Sequence, residues 1–540
     1  MPLTHHAAGH PAGGPSPSKR AVTQHGARHP SCCPSPSILP GIQHICDSET
    51  IPHGEVLERM ERCAAVYQLH GIGKGDRVYA HVSNSIENFI AVCAITLTGA
   101  TLVTSDVLFR EGELLANLQN SDATHVLTDA TFAPTFIEIK HKYQFKGLFS
   151  TRSFPGFVCL SDAHHIGKCL KYNEPDASPH DVIIMCHTSG TTGISKIMEV
   201  EQQRFLTQMR CREVLEMVTS DDVAIGGGNI SFFFFFSFVF NVLSAGATIV
   251  LLKSTNIRDL FEACNRHKVN LLNGTPQKLL KIAEAAKASG TRLPTVKKLR
   301  TQGVFLPERI AKDVVSIFEP DELRDCYGMT EVSGFLAVPP RGELPQGNVG
   351  FPVCGTKMKV VNPENRTVLG AMEIGEVLFQ SPYVMRGYYK NAAATRDFID
   401  SEGWLHTGDL GYYDNDGRLF LAGRLKDTMF RMSKHMNPAE IEQCLYAHWA
   451  IAEAAVLPVP RDDTDDDPAA IIVLKEGIVG DQRLAEDIKA FVAERLAPYK
   501  HLHGGVFFAE CIPKTSFGKF KRRLLPDMLK SLKGIDKSSS

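Results

Sequence analysis

The sequence predicts an α/β fold: a large N-terminal domain of parallel α/β subdomains plus a β-rich subdomain, followed by a small mobile α+β C-terminal domain. Three observations carry this. At 540 residues the chain exceeds what one core organises. From about Glu49 to about residue 340, helical segments alternate with short apolar strands, the signature of a parallel sheet. Residues 349 to 420 then read as short alternating strands parted by turns, and a small mixture of helices and strands follows Arg424.

Taken in order, residues 1–45 are rich in Pro, His, Ser and Gly, carry no acidic residue, and read as a disordered leader. Lys19, Arg20 and Arg28 would suit a mitochondrial transit peptide, but the prolines forbid an amphipathic helix. The N-terminal domain is expected over 46–424, the C-terminal domain over 425–530 and a tail over 531–540. Val56 to Leu69 reads as a helix, Val78 to Val82 as a strand after the Gly75-Asp76 turn, Ile86 to Thr98 as a helix and Thr101 to Val103 as a strand. Val223 to Leu252 is uncharged and long enough to span a membrane. Asn229, Asn241 and the Ala245-Gly246 break divide it instead into a buried helix and the buried strand Thr248 to Leu252. Lys357 to Val361 and Gly375 to Gln380 are strands of the β-rich part; helices are expected near Pro438 to Ala447 and Leu484 to Leu496. The acidic run Asp462 to Asp467 reads as a solvated loop, since its spacing is not that of an EF-hand.

Composition narrows the function classes. Apolar content of 43% and charged content of 22% fit an ordinary soluble globular protein. A net charge of −2 gives no electrostatic case for nucleic acid or an anionic membrane. The 14 cysteines are scattered apart from Cys32-Cys33 and show no zinc spacing, which suits a reducing compartment. A cytoplasmic location is expected; the chain ends Lys537-Ser538-Ser539-Ser540, without a peroxisomal Ser-Lys-Leu signal.

The richest segment is His187 to Lys196, HTSGTTGISK, which follows the buried strand Val182 to Met185. Gly190 and Gly193 let backbone N–H groups approach an anion. Thr188, Ser189, Thr191 and Thr192 add hydroxyl donors, and Lys196 adds a mobile cation. This is a phosphate cradle without the GxxxxGK[ST] spacing of the P-loop; the competing reading is a Ser/Thr/Gly-rich linker. Other islands repeat the theme of handling an adenylate. Tyr327-Gly328-Met329-Thr330-Glu331 offers an aromatic face for a purine, a hydroxyl for a phosphate and a carboxylate for Mg²⁺. Gly403 to Asp409, GWLHTGD, ends in a carboxylate suited to two ribose hydroxyls. Gly423 to Asp427, GRLKD, supplies an arginine at a domain border, and Pro513 to Lys519, PKTSFGK, places a lysine on a glycine turn.

In this order the segments resemble the acyl-adenylate-forming superfamily, in its acyl- and aryl-CoA synthetase branch, which also contains 4-coumarate–CoA ligases and luciferase-like enzymes. The likeness spans about residues 50 to 528 and includes GKGDRV from Gly73, GNVGFPVCG from Gly347 and GEVLFQSPYVMRGYY from Gly375. It implies two steps. A carboxylate attacks the α-phosphate of ATP, giving acyl-AMP and pyrophosphate; a thiol, usually that of CoA, then displaces AMP. It also implies roles: Thr188 to Lys196 cradle the β- and γ-phosphates, Tyr327 stacks on adenine, Gly303 lies in the strip that lines adenine and acyl group, and Gly328 and Thr330 bind the nucleotide. Glu331 holds Mg²⁺, Asp409 and Arg424 bind ribose, and Lys519 bridges the carboxylate and α-phosphate. Lys426 falls on the hinge about which the C-terminal domain swings. Ser231, Phe232, Phe236, Asn273, Val304 and Met329 fall on the acyl pocket.

Four departures from the family pattern stand out. The phosphate loop ends Ser195-Lys196-Ile197 rather than Pro-Lys-Gly, and Ser231-Phe232 replaces a histidine at the pocket helix. Gln302 replaces a glycine in the strip Gln302-Gly303-Val304-Phe305. Where relatives carry a lysine and a glycine for the second step, this chain has Phe430 and Ser433; Arg431, Lys434 and His435 keep the segment basic. The run Phe232 to Phe236 cannot put five rings on one helix face, so two or three would line the pocket and favour a medium- or long-chain or aryl acid; pure core packing is the alternative. The leading expectation is an ATP-dependent acid–CoA ligase. Its rivals are an adenylation domain serving a carrier protein, a luciferase-like monooxygenase, and an adenylate-forming or nucleotide-binding protein with weak or lost thioesterification.

Overall fold

Among the described residues, nine strands form one sheet and eight form a second. The computed structural model describes residues 42–44, 50–160, 170–188, 196–226, 228–253, 256–304, 306–431, 434–461, 466–515 and 518–538. The first sheet is parallel through Glu322–Met329, Lys298–Gln302, Leu271–Gly274, Val223–Gly226, Thr248–Leu251 and Ile42–His44. The second is parallel through Val182–His187, Thr101–Val103, Arg77–His81, His125–Thr128, Gly147–Ser150 and Val158–Cys159.

Both sheets have the parallel core that alternating helices and strands predict, with antiparallel strands added at their edges. Val182–His187 pairs antiparallel with Ile197–Glu201, so the phosphate segment joins two strands of a hairpin rather than leading into a helix. Glu322–Met329 likewise pairs antiparallel with Gly334–Val338. The leader boundary shifts as well: Ile42–His44, inside the stretch expected to be disordered, is a strand on Thr248–Leu251. The remainder of the leader, 1–41, lies outside the described residues.

The apolar run resolves into helix and strand as its asparagines and glycines demand. The helix spans Phe233–Ser244 and the strand Thr248–Leu251. Phe235 packs where a side chain at Gly226 or Gly228 would stand; a Cβ there would fall 2.5 and 2.6 Å from its ring or stem. Phe236 wedges between Phe89 and Phe205, with centroids 6.1 and 6.5 Å away. Four rings of this helix are therefore core, each burying on the order of 150–250 Å². Among the described residues, no helix is long and apolar enough to cross a membrane.

The β-rich part is a four-stranded antiparallel sheet, Lys357–Val361, Gly375–Gln380, Leu405–Tyr413 and Leu419–Arg424. After Arg424 come the hairpin Met429–Arg431 with Lys434–Met436 and the three strands Ile451–Pro460, Asp466–Leu474 and Gly505–Phe508. The helices Pro438–Tyr446 and Gln482–Ala493 cover them. The acidic run is only partly loop-like in sequence terms: Asp466 and Asp467 open a strand, and 462–465 lie outside the described residues.

Candidate active site

Tyr327 is the anchor of the site. It lies near the end of the strand Glu322–Met329, and its hydroxyl donates to Asp409 Oδ2 at 2.5 Å. Asp409 and Arg424 face each other across the ladder between Leu405–Tyr413 and Leu419–Arg424, and Arg424 Nε lies 2.8 Å from Asp409 Oδ1. Burial, the largest influence, raises the Asp409 carboxyl above its usual range, and Arg424 and the Tyr327 hydroxyl oppose that rise; Asp409 in turn raises the Arg424 guanidinium. Each carboxylate oxygen keeps a lone pair beyond these contacts, so a diol can still be received.

Gly328 follows because the chain turns tightly here. A Cβ on it would sit 1.9 Å from the Gly334 carbonyl oxygen, so the pairing with Gly334–Val338 excludes any side chain. The short 3₁₀ turn Thr330–Val332 then presents Glu331. Its Oε1 accepts from the Tyr388 hydroxyl at 2.8 Å, and its carbonyl accepts from Met385 N at 2.7 Å. Lys196 Nζ stands 4.8 Å above the Tyr388 ring, a cation–π contact. Thr188 N and Oγ1 both donate to the Lys196 carbonyl, at 2.8 and 3.2 Å, which closes the neck of the phosphate segment. Ser189, Gly190, Thr191, Thr192 and Gly193 lie outside the described residues. His187, at the root of the segment, is pushed down to about 4 by burial and is neutral near pH 7.

Lys519 reaches this group from the C-terminal domain. Its Cε is 3.9 Å from the point where Gly303 would carry a Cβ, and Gly303 holds φ +84°, a conformation that favours glycine. A turn fixes the lysine: Thr515 N donates to the Lys519 carbonyl at 2.8 Å, and Lys519 N donates to Thr515 Oγ1 at 3.2 Å. Beside it, Gly518 abuts Thr275 and Gln277. Burial lowers the Lys519 amine and Arg424 adds to the effect, while Asp409 and Glu331 oppose it. The site therefore gathers three cations (Arg424, Lys196 and Lys519), two carboxylates (Asp409 and Glu331) and two aromatic rings (Tyr327 and Tyr388), near the carboxyl ends of parallel strands, where ligands of open α/β sheets bind.

The segment around Lys426, expected to be the hinge, is tied on both sides. Arg424 is held by Asp409, and Asp427 lies 3.2 Å from Arg522 Nε. Arg522 also reaches both Glu442 oxygens at 2.9 Å and the Val456 carbonyl at 3.0 Å, so it belongs to the C-terminal domain's own frame. Between the ties the turn Leu425–Asp427 leaves Lys426 exposed. Gly423, at φ +138°, makes room for Asn437; a Cβ would lie 1.9 Å from its amide.

The acyl-pocket residues divide. Phe232 caps the helix and stacks on Phe234 with centroids 6.1 Å apart, both half-buried. Val304, Met329 and Asn273 are also half-buried at strand ends. Ser231 does not join them: its hydroxyl bonds Val82 N and O at 2.8 and 2.9 Å, and it is 1% exposed. Phe236 is core, as described. Arg431 departs furthest from expectation: it is buried and ion-paired with Asp467, so it does not keep the segment basic. Ser433 lies outside the described residues. Tyr388 and Arg522 were missed by sequence reasoning, although Tyr388 stands in the GEVLFQSPYVMRGYY stretch and Arg522 follows the lysine motif.

A family model of AMP-binding enzymes matches residues 40–389, and a model of the AMP-binding enzyme C-terminal domain matches 440–519. The chain belongs to the AMP-binding enzyme family. This adenylate-forming enzyme lies in the acyl- and aryl-CoA synthetase branch. It is 27% identical over 499 residues to 4-coumarate–CoA ligase 1 of Petroselinum crispum, covering 88% of each chain. With 4-coumarate–CoA ligase-like 2 of Arabidopsis thaliana it shares 30% identity over 500 residues, 87% of this chain and 85% of that one. In fold it is similar to the ATP-bound RpMatB-BxBclM chimera B1, with TM-score 0.83, 24% identity and coverage of 92% and 97%. It is also similar to the anthranilate CoA ligase AuaEII in complex with anthranoyl-AMP, with TM-score 0.81, 22% identity and coverage of 91% and 94%.

Proposed function

We propose that this adenylate-forming enzyme activates an aryl or medium- to long-chain carboxylic acid with ATP and transfers the acyl group to CoA. The observation that carries the reading is the approach of Lys519 to Gly303, beside Asp409, Arg424 and Glu331. A lysine from the mobile domain standing at that point can neutralise an acid's carboxylate and the α-phosphate together. Attack by the carboxylate oxygen then forms the acyl–phosphate bond as pyrophosphate leaves. Little covalent chemistry falls to the protein; positioning and charge stabilisation do the work.

In this reading Asp409 receives the ribose hydroxyls, the Tyr327 ring faces the adenine, and Thr188, Lys196 and residues 189–193 hold the outer phosphates. Glu331 fits Mg²⁺, which takes one or two carboxylates plus substrate phosphates; Tyr388 occupies only one of its oxygens. When bound, the ion supplies neutralisation of developing phosphate charge. Among the described residues, no cluster of three or more acidic, His or Cys side chains offers a cage independent of the nucleotide. The half-buried Phe232, Phe234, Val304 and Met329 suit an apolar or aryl acyl group, and relatives named as ligases of 4-coumarate support the aryl choice.

One observation favours a second reading, in which adenylation is efficient and thioesterification weak. With Phe430 in place of a lysine and Arg431 buried against Asp467, neither residue presents a free cation for the second step. An ATP–pyrophosphate exchange screen over a panel of aryl and alkyl acids, run beside CoA-thioester detection, tests both. Exchange without thioester selects the second reading. No exchange with any acid refutes both.

A further inference from the structure

Arg309 sits where its own helix has least use for it. It is the second residue of the helix Glu308–Phe318, at the end whose free N–H groups form the positive pole and disfavour a cation. Its guanidinium crosses instead to the C-terminal domain: Nη1 donates to the Tyr446 carbonyl at 3.2 Å and to the Ile451 carbonyl at 3.0 Å. Asp313, one turn along the same helix, lies 3.5 Å from Arg309 Nε and steadies the fork. Tyr446 ends the helix Pro438–Tyr446, whose last turn has no basic residue of its own. The final carbonyls of a helix lack intrahelical partners, and a cation there meets the negative pole. A residue of one domain therefore caps a helix of the other.

The same stretch of the N-terminal domain meets the C-terminal domain twice. Gly303 faces Lys519, and Arg309 follows at the head of the next helix. On the other side the two contacts are also joined. Ile451 opens the strand Ile451–Pro460, and Glu453 in that strand is ion-paired with Lys514. Lys514 stands at the foot of the turn that presents Lys519, next to Thr515, which holds that turn closed. What Arg309 grips is thus tied, through one strand and one ion pair, to the lysine that faces Gly303.

We propose that Arg309 is a positioning residue for adenylation: it latches the C-terminal domain in the arrangement that seats Lys519 beside Gly303, and it releases when the domain swings for thioester formation. The inference rests on the ligase reading above. Both acceptors lie beyond Lys426 in the chain, so a swing about that point carries them off Arg309. Hydrogen bonds from a charged donor are strong for their number, and these exist only in the latched arrangement. The latch therefore favours the first half-reaction over the second without touching a nucleotide-binding group.

The test uses the full chain and an acid that supports pyrophosphate exchange. Arg309→Ala should lower kcat for exchange about tenfold, the scale of one hydrogen bond from a charged donor. The KM for ATP should stay nearly constant, since Tyr327, Asp409 and Arg424 are untouched. Single-turnover transfer from supplied acyl-AMP to CoA should not slow. Arg309→Lys keeps the charge without the fork and should fall between Arg309→Ala and the unmutated chain. Trypsin cleavage after the exposed Lys426 reads the latch without turnover and should be several-fold faster in Arg309→Ala. Unchanged exchange, unchanged cleavage, or equal losses in both half-reactions each overturns the proposal. If the unmutated chain makes no thioester, exchange and cleavage decide. If no acid supports exchange, the ligase reading fails on its own, and cleavage alone decides the latch. Should Arg309→Ala fail to fold, Arg309→Lys decides by the same readouts.

Discussion

Tyr327 and Asp409 are joined by a single 2.5 Å hydrogen bond across 82 residues of sequence. The bond ties the ring proposed to face adenine to the carboxylate proposed to receive ribose, so base and sugar subsites share one strut. Tyr327→Phe keeps the ring and removes the strut. It is expected to raise the KM for ATP about tenfold, the ~1.5 kcal/mol of a hydrogen bond to a charged group. Unmutated protein should prefer ATP to 2′-deoxy-ATP, and Asp409→Ala should erase that preference. A preference that survives in Asp409→Ala removes the ribose assignment.

Lys519→Ala should lower acyl-AMP formation by about 10²-fold or more, equivalent to ~2.7–4 kcal/mol for one preorganised donor. Transfer from supplied acyl-AMP to CoA should change far less. The pH profile carries its own sign. The ammonium is the active form and burial lowers its pKa, so kcat/KM for exchange should fall as pH rises through a value below the ordinary lysine range. An alkaline limb at the ordinary lysine value, or none at all, would count against the assignment.

Gly423→Ala places a methyl where the Asn437 amide now lies, forcing the two domains apart at the hinge. Pyrophosphate exchange should suffer more than thioester transfer, because Lys519 loses its seat beside Gly303. Asn437→Gly in the same chain should restore part of the loss. As a helix cap, glycine costs only a few tenths of a kcal/mol relative to asparagine. Equal damage to both half-reactions, without rescue, would mean the contact serves stability alone.

Phe430→Lys should accelerate single-turnover transfer from preformed acyl-AMP to CoA while leaving exchange nearly constant. Arg431→Ala should act differently: it strands Asp467 and costs about 3 kcal/mol of stability, the low end for a broken buried pair because Asp467 keeps some water. Denaturant melts check the second expectation. A stable Arg431→Ala that loses CoA transfer would return Arg431 to the second step.

Much of this was legible in the sequence, and the omissions have physical causes. Lys357–Val361 and Gly375–Gln380 fall where turns and alternation put them, and the separate motifs around Tyr327, Asp409, Arg424 and Lys519 lie together in the fold. Pairing direction was not legible: Val182–His187 is apolar whether its neighbour runs with it or against it. The phenylalanine run could not be divided from local pattern, since Gly226 and Gly228 decide where Phe235 goes. Arg431 looked like a surface cation because its partner Asp467 lies in another strand of the same domain.

The paired ties around Lys426 set the mechanics of the hinge proposed there. Arg424 is clamped to the N-terminal domain through Asp409, and Asp427 to the C-terminal domain through Arg522 and thus Glu442. Only Leu425 and Lys426 stand between the clamps. A rotation there has few torsions to draw on, so it would follow a narrow arc, like a crank on a fixed axle, rather than a diffuse tumbling of one domain about a slack tether. A proline at position 426, by locking one φ and restraining the residue before it, should seize that crank while leaving both domains folded.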